Sequence, residues 1–232
     1  MTRTESGPGR PMESVSGPHA GQPLLTAGAP ALAADAALIL CHGRGATAQG
    51  VVNLMDPVVR HRLAVLAPHA ERSRWYPRPA TASRADNEPW LSSSVDCVAA
   101  ALDAARAIDI PPERTVVGGF SQGACVAAEF VRRTPARYGG LVVLSGTLPG
   151  STDELAATEL DGSLAETPVL IGYGGADPHV DRERVAETAR VFEAADAVVD
   201  ERRYPETGHE VTDDEFEAIG GMLDAVLGDG SP

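Results

Sequence analysis

Short, wholly apolar runs recur along this chain with helix-like stretches between them, and that alternation restricts the fold more than any other feature. The runs are 36–41 (AALILC), 63–67 (LAVLA), 115–120 (TVVGGF), 141–145 (LVVLS) and 168–173 (PVLIGY). A strand with one face in water alternates apolar and polar residues. These runs do not alternate, so both of their faces must be covered. Residues 24–27 and 198–204 read as further strands, with Gly28-Ala29-Pro30 as the turn after the first. Apolar residues at helical spacing fill the intervals 48–60, with a break at Pro57, and 94–108, 122–133, 182–195 and 213–227. The pattern predicts an α/β domain with a mainly parallel central sheet and helices on both faces.

A chain of 232 residues suits one such domain. We place it at 23–228. Residues 1–22 are rich in Gly, Ser and Pro and read as a disordered tail, without the apolar centre of a signal peptide. A cytoplasmic location is therefore expected. No apolar run approaches the roughly 18 to 20 residues that span a bilayer, so no membrane partner is expected. Cys41, Cys97 and Cys125 lack CxxC or Cys/His spacing, which predicts buried reduced thiols and no metal site. The net charge is −14, and all 19 basic residues are arginine against 33 acidic ones. That balance argues against nucleic acid as a partner and predicts adaptation to high salt. A homodimer is compatible with the sequence, which does not decide it.

In open parallel sheets ligands sit beyond the carboxyl ends of the strands. Four predicted strand ends deliver His42-Gly43-Arg44-Gly45, Ser121, Asp177 and His209. Ser121 stands in GGFSQG, a strand-to-helix turn in which side chains at positions 119 and 123 would collide with neighbouring segments. A serine hydroxyl needs a base to attack a carbonyl, and the base needs a carboxylate to fix its tautomer. His209 and Asp177 are assigned these roles. The order Ser, Asp, His is that of the α/β-hydrolase fold. The oxyanion donors are assigned to the backbone N–H groups of Gln122 and Arg44. Asp177 has an alternative role as a cap of the helix near Asp181. His179 competes with His209 for the role of base and is read as a residue of the pocket rim. His42 is read as a structural histidine, and His19 has no catalytic context. Trp75, Tyr76 and Trp90 flank the long loop 69–89, and Trp75 and Tyr76 are expected to wall the substrate pocket.

LCHGRGATAQG, WYPRP, GGFSQGA, GGADPHV and GHEV, in this order, resemble the phospholipase/carboxylesterase family of small serine esterases, related to acyl-protein thioesterases and dienelactone hydrolases. The resemblance covers roughly residues 24–227 and implies an α/β-hydrolase fold without a large cap domain. It also implies a Ser121, Asp177, His209 triad with Arg44 and Gln122 at the oxyanion hole, and no cofactor. The elbow carries serine where dienelactone hydrolases have cysteine. HGRG differs from the glycine-leucine loop of the thioesterases. The expected activity is hydrolysis of small soluble carboxylic esters through an acyl-enzyme. A thioesterase, a lysophospholipase and a non-catalytic ligand-binding relative remain as alternatives. The short acidic stretch 146–167, with room for one brief helix around 154–160, is too polar to act as a lipase lid.

Overall fold

The computed structural model describes residues 9–228. Its strands are β1 (Arg10–Pro11), β2 (Pro23–Gly28), β3 (Ala36–Cys41), β4 (Leu63–Pro68), β5 (Thr115–Phe120), β6 (Gly140–Leu144), β7 (Pro168–Gly174) and β8 (Val198–Tyr204). Its helices are α1 (Ala48–Leu54), α2 (Trp90–Arg106), α3 (Gln122–Arg133), α4 (Thr152–Ala156), α5 (Arg182–Glu193) and α6 (Asp213–Leu227). The strands form one sheet in the order β1-β2-β4-β3-β5-β6-β7-β8. From β4 to β8 every neighbour is parallel, and only β1 and β2 run antiparallel to the strands they meet. This is the α/β-hydrolase fold.

The unbroken apolar runs are explained by the two cores. In β3, Ala37, Ile39 and Cys41 face the layer of α2, α3 and α5, whereas Ala36, Leu38 and Leu40 face α1 and α6. Every residue of that strand is thus removed from water on one side or the other. Strand β5 lies between β3 and β6 near the middle of the sheet, so its carboxyl end is held by backbone hydrogen bonds on both sides.

Three expectations need correction. Helix α2 begins at Trp90 rather than 94, and the Glu88 carboxylate, before the Pro89 N-cap, satisfies its first turn by accepting from Ser92 N at 3.0 Å and Ser92 Oγ at 2.8 Å. The brief helix in 146–167 lies earlier than expected, at Thr152–Ala156, where Ser151 and Glu154 close a capping box. The third concerns the tail. Residues 9–22 are ordered parts of the domain: Arg10 and Pro11 pair with Leu24 and Pro23, and Met12, Val15 and His19 are buried. Their Gly, Ser and Pro content serves a chain of tight turns over α2. The remainder of the predicted tail, 1–8, lies outside the described residues.

Candidate active site

Strand β5 runs into α3 through Ser121, whose backbone takes φ 58° and ψ −124°, a conformation that costs a non-glycine residue free energy. The turn survives because its surroundings hold it. Ser121 N–H donates to Leu144 O at 2.8 Å, and the flanking glycines let segments touch. A Cβ at Gly123 would lie 2.1 Å from Cys41 O, and one at Gly119 would lie 2.6 Å from the Gly123 carbonyl carbon. The collision expected from the sequence is therefore with backbone, which cannot yield.

The structure brings three predicted residues into one chain of hydrogen bonds. Ser121 Oγ is 2.9 Å from His209 Nε2, and His209 Nδ1 is 2.7 Å from Asp177 Oδ2. Asp177 is buried, and its second oxygen accepts from His179 N at 2.8 Å. Both oxygens are thus engaged, which fixes the carboxylate with Oδ2 toward the His209 ring. The helix-capping alternative does not hold, since Asp181 caps α5 by accepting from Glu183 N at 2.8 Å. His179 is exposed and places its ring edge-on to that of His209 at 5.0 Å, so it stands at the rim rather than between Ser121 and Asp177. Phe120 flanks His209 from another side at 4.8 Å.

The loop after β3 is fixed by buried polar groups. Ala70 N–H donates to His42 Nε2 at 3.1 Å, so the imidazole carries its proton on Nδ1 and donates it to Gly43 O at 2.8 Å. Burial lowers the His42 pKa to about 4 and keeps the ring neutral. Gly45 N–H is bonded to Ser73 O at 2.8 Å, and the Arg44 guanidinium reaches Pro77 O at 3.2 Å. The Arg44 N–H has no acceptor among the described residues, and Gln122 N–H belongs to the first turn of α3, where amides lack helical partners. Both residues line the same cleft as Ser121.

That cleft measures about 550 Å³, and Tyr76, Arg78, Cys125, Ser145, Arg184 and His179 are among its walls. Among the described residues no group of His, Cys, Asp or Glu is placed to hold a metal, and no helix is long and apolar enough to cross a membrane. The arrangement suits nucleophilic attack by Ser121 on a carbonyl carbon, with proton transfer through His209.

Comparison with known proteins decides the family. Residues 26–227 match the family model described as phospholipase/carboxylesterase. The chain belongs to the phospholipase/carboxylesterase family. A phospholipase/carboxylesterase from Dyadobacter fermentans of known structure is 34% identical, with a TM-score of 0.82 over 87% of this chain and 96% of the other. An acyl-protein thioesterase 1 from Debaryomyces hansenii is 32% identical over 120 residues, 51% of each chain, so the match spans about half the length of that relative. A probable carboxylesterase from Oryza sativa is 32% identical over 139 residues, 60% of this chain and 58% of its own. The family is one of hydrolases, represented here by esterases and thioesterases.

In this phospholipase/carboxylesterase-family chain one predicted pocket residue is misplaced. Trp75 is fully buried and does not line the cleft. It lies behind the loop after β3, its Nε1 donating to His42 O at 2.7 Å and its ring packed against His42 and His19. An indole needs an acceptor when buried, and the His42 carbonyl supplies it. Trp90 packs against the other side of His19 and beneath Arg74. Tyr76 does line the cleft, as expected.

Gln122 has a second role that its position in the elbow conceals. Its side chain accepts from Trp75 N at 3.1 Å and donates to Tyr76 O at 2.9 Å, which fastens WYPRP to α3. Arg184 is a cleft residue absent from the sequence-based expectations. Its helical spacing from Thr188 and Val191 was the available signal, since all three are buried on the inner face of α5. Cys125 is buried in the cleft wall, and burial raises its thiol pKa, which holds it protonated and unreactive.

Proposed function

We propose that this chain hydrolyses carboxylic esters through an acyl-enzyme on Ser121. The observation that carries the reading is the continuous Ser121, His209, Asp177 hydrogen-bond chain at the floor of an open cleft. Ser121 Oγ attacks the carbonyl carbon while His209 Nε2 takes its proton. Asp177 holds Nδ1–H and stabilises the imidazolium. The tetrahedral oxyanion is received by the N–H groups of Arg44 and Gln122. Collapse expels the alcohol, protonated by His209, and leaves Ser121 acylated. Water attacks in the same way, with His209 as base, and releases the acid.

Thioesters would follow the same steps, and the named thioesterase relative keeps that substrate class in view. What favours small, soluble substrates of either kind is the cleft wall. Arg44, Arg78, Arg184 and His179 interrupt the apolar surface that a long acyl chain would require. Labelling with a fluorophosphonate and turnover of short p-nitrophenyl esters test the reading together. Wild-type protein is expected to be labelled at one serine and to hydrolyse the esters, whereas Ser121→Ala is unlabelled and slower by at least about 10⁴-fold. Labelling that persists in Ser121→Ala would overturn it.

A further inference from the structure

One wall of the cleft holds a charge that acyl transfer does not use. Arg184 enters from α5, is only 7% exposed, and lines the cleft with Tyr76, Cys125 and Ser145. Its Nη2 donates to Leu148 O at 3.0 Å and Gly150 O at 2.9 Å. Its Nε and Nη1 are buried and meet no acceptor among the described residues; Ser145 Oγ is likewise without a partner there, and Tyr76 Oη faces only the weakly accepting Cys125 thiol. Asp181 acts on the guanidinium through space, but Asp181 is exposed and engaged with Glu183 N–H. A guanidinium held by carbonyls alone, with two nitrogens unmatched, is an unfavourable use of a buried charge unless something else supplies negative charge. The cleft as a whole points the same way. It is lined by Arg44, Arg78 and Arg184 against Asp181 at its rim, in a chain whose net charge is −14.

We propose that this part of the cleft is a carboxylate subsite, in which Arg184, the Tyr76 hydroxyl and the Ser145 hydroxyl receive the free acid group of an ester that bears one. The inference rests on ester hydrolysis at Ser121 and names the substrate class of that site. Burial raises the Tyr76 pKa well above its ordinary value, so the phenol stays protonated and donates. A neutral substrate of equal length would leave these donors without acceptors, and such sites discriminate strongly against the analogue that lacks the polar group.

The test compares kcat/KM within matched pairs. In one series, monoethyl succinate, glutarate, adipate and suberate are set against ethyl esters of uncharged acids of the same length, so the acid lies on the acyl side. In the other, O-acetyl glycolate and O-acetyl lactate are set against neutral acetates of the same size, so it lies on the alcohol side. The acid-bearing member is expected to be preferred by about tenfold or more in one series. Tyr76→Phe and Arg184→Met should each reduce that ratio, by about tenfold for Arg184→Met, while Arg184→Lys retains part of it. Because Arg184 also holds the Leu148 and Gly150 carbonyls, Tyr76→Phe and the wild-type ratios decide the matter if Arg184→Met fails to fold. Preference for the neutral member in both series overturns the subsite and leaves ester hydrolysis standing. So does an equal loss on both members in the variants. No turnover of any ester, with no labelling of Ser121, overturns both.

Discussion

Asp177 uses both carboxylate oxygens, one on the His209 ring and one on the His179 backbone, so its orientation does not depend on the histidine it serves. Asp177→Asn should therefore fold. It should lose on the order of 10³ to 10⁴ in turnover, since an amide can present its N–H to Nδ1 and favour the wrong tautomer. Circular dichroism beside kcat separates this from unfolding. His209→Ala should cost about as much as loss of the serine, and His179→Ala far less, because only His209 reaches Ser121. The reverse order would move the base to His179. His42 carries a different expectation. Its pKa is about 4 in the fold against 6.5 in a free chain, so the unfolded state binds a proton first as pH falls. The stability that His42 contributes is whole above about 6.5 and declines as pH falls toward 4. On the order of 3 kcal/mol is at stake over that window. Urea denaturation at neutral pH and near pH 5 checks it: a His42→Gln variant, starting less stable, should show a flatter slope.

At the scale of elements, the stretch between β6 and β7 is fastened down rather than poised to open. Leu148, Leu155 and Leu164 are buried, Arg190 reaches Ala156 O at 3.1 Å, and Arg84 N–H meets the Glu154 carboxylate at 3.1 Å from the opposite loop. Hydrolysis of long-chain esters should therefore show no jump as substrate passes its micelle-forming concentration. Kinetics on both sides of that point would expose a lid as an abrupt rise. The central strands and the elbow were legible in the sequence because one-dimensional patterns encode them: β5 and α3 fall on the predicted residues, since full burial and a strained turn each leave a local signature. What was not legible was long-range. Met12, Val15 and His19 sit in a segment of low-complexity appearance, and their burial depends on α2 and on Trp75, distant in sequence. Arg184 looked like any charged helix residue until the cleft wall showed what surrounds it.

For the whole molecule, 33 acidic residues face 19 arginines, and several of the ion pairs join near neighbours on the surface, such as Arg106 with Asp103 and Arg190 with Glu187. Pairs of that kind contribute little, so the excess negative charge is left to repel itself. We therefore propose that the fold is adapted to concentrated salt, and its melting temperature should rise from low to molar potassium chloride as screening relieves the repulsion. A flat or falling curve would leave the absence of lysine without a physical role. His19 binds Trp75 O through one ring nitrogen and receives Glu71 N–H on the other, while Trp75 in turn holds the carbonyl of His42, two residues before Arg44. The segment around His19 is thereby a keystone set behind Ser121. Trimming the protein back to Pro23 would take that stone out and let the loop bearing Arg44 sag away from Ser121.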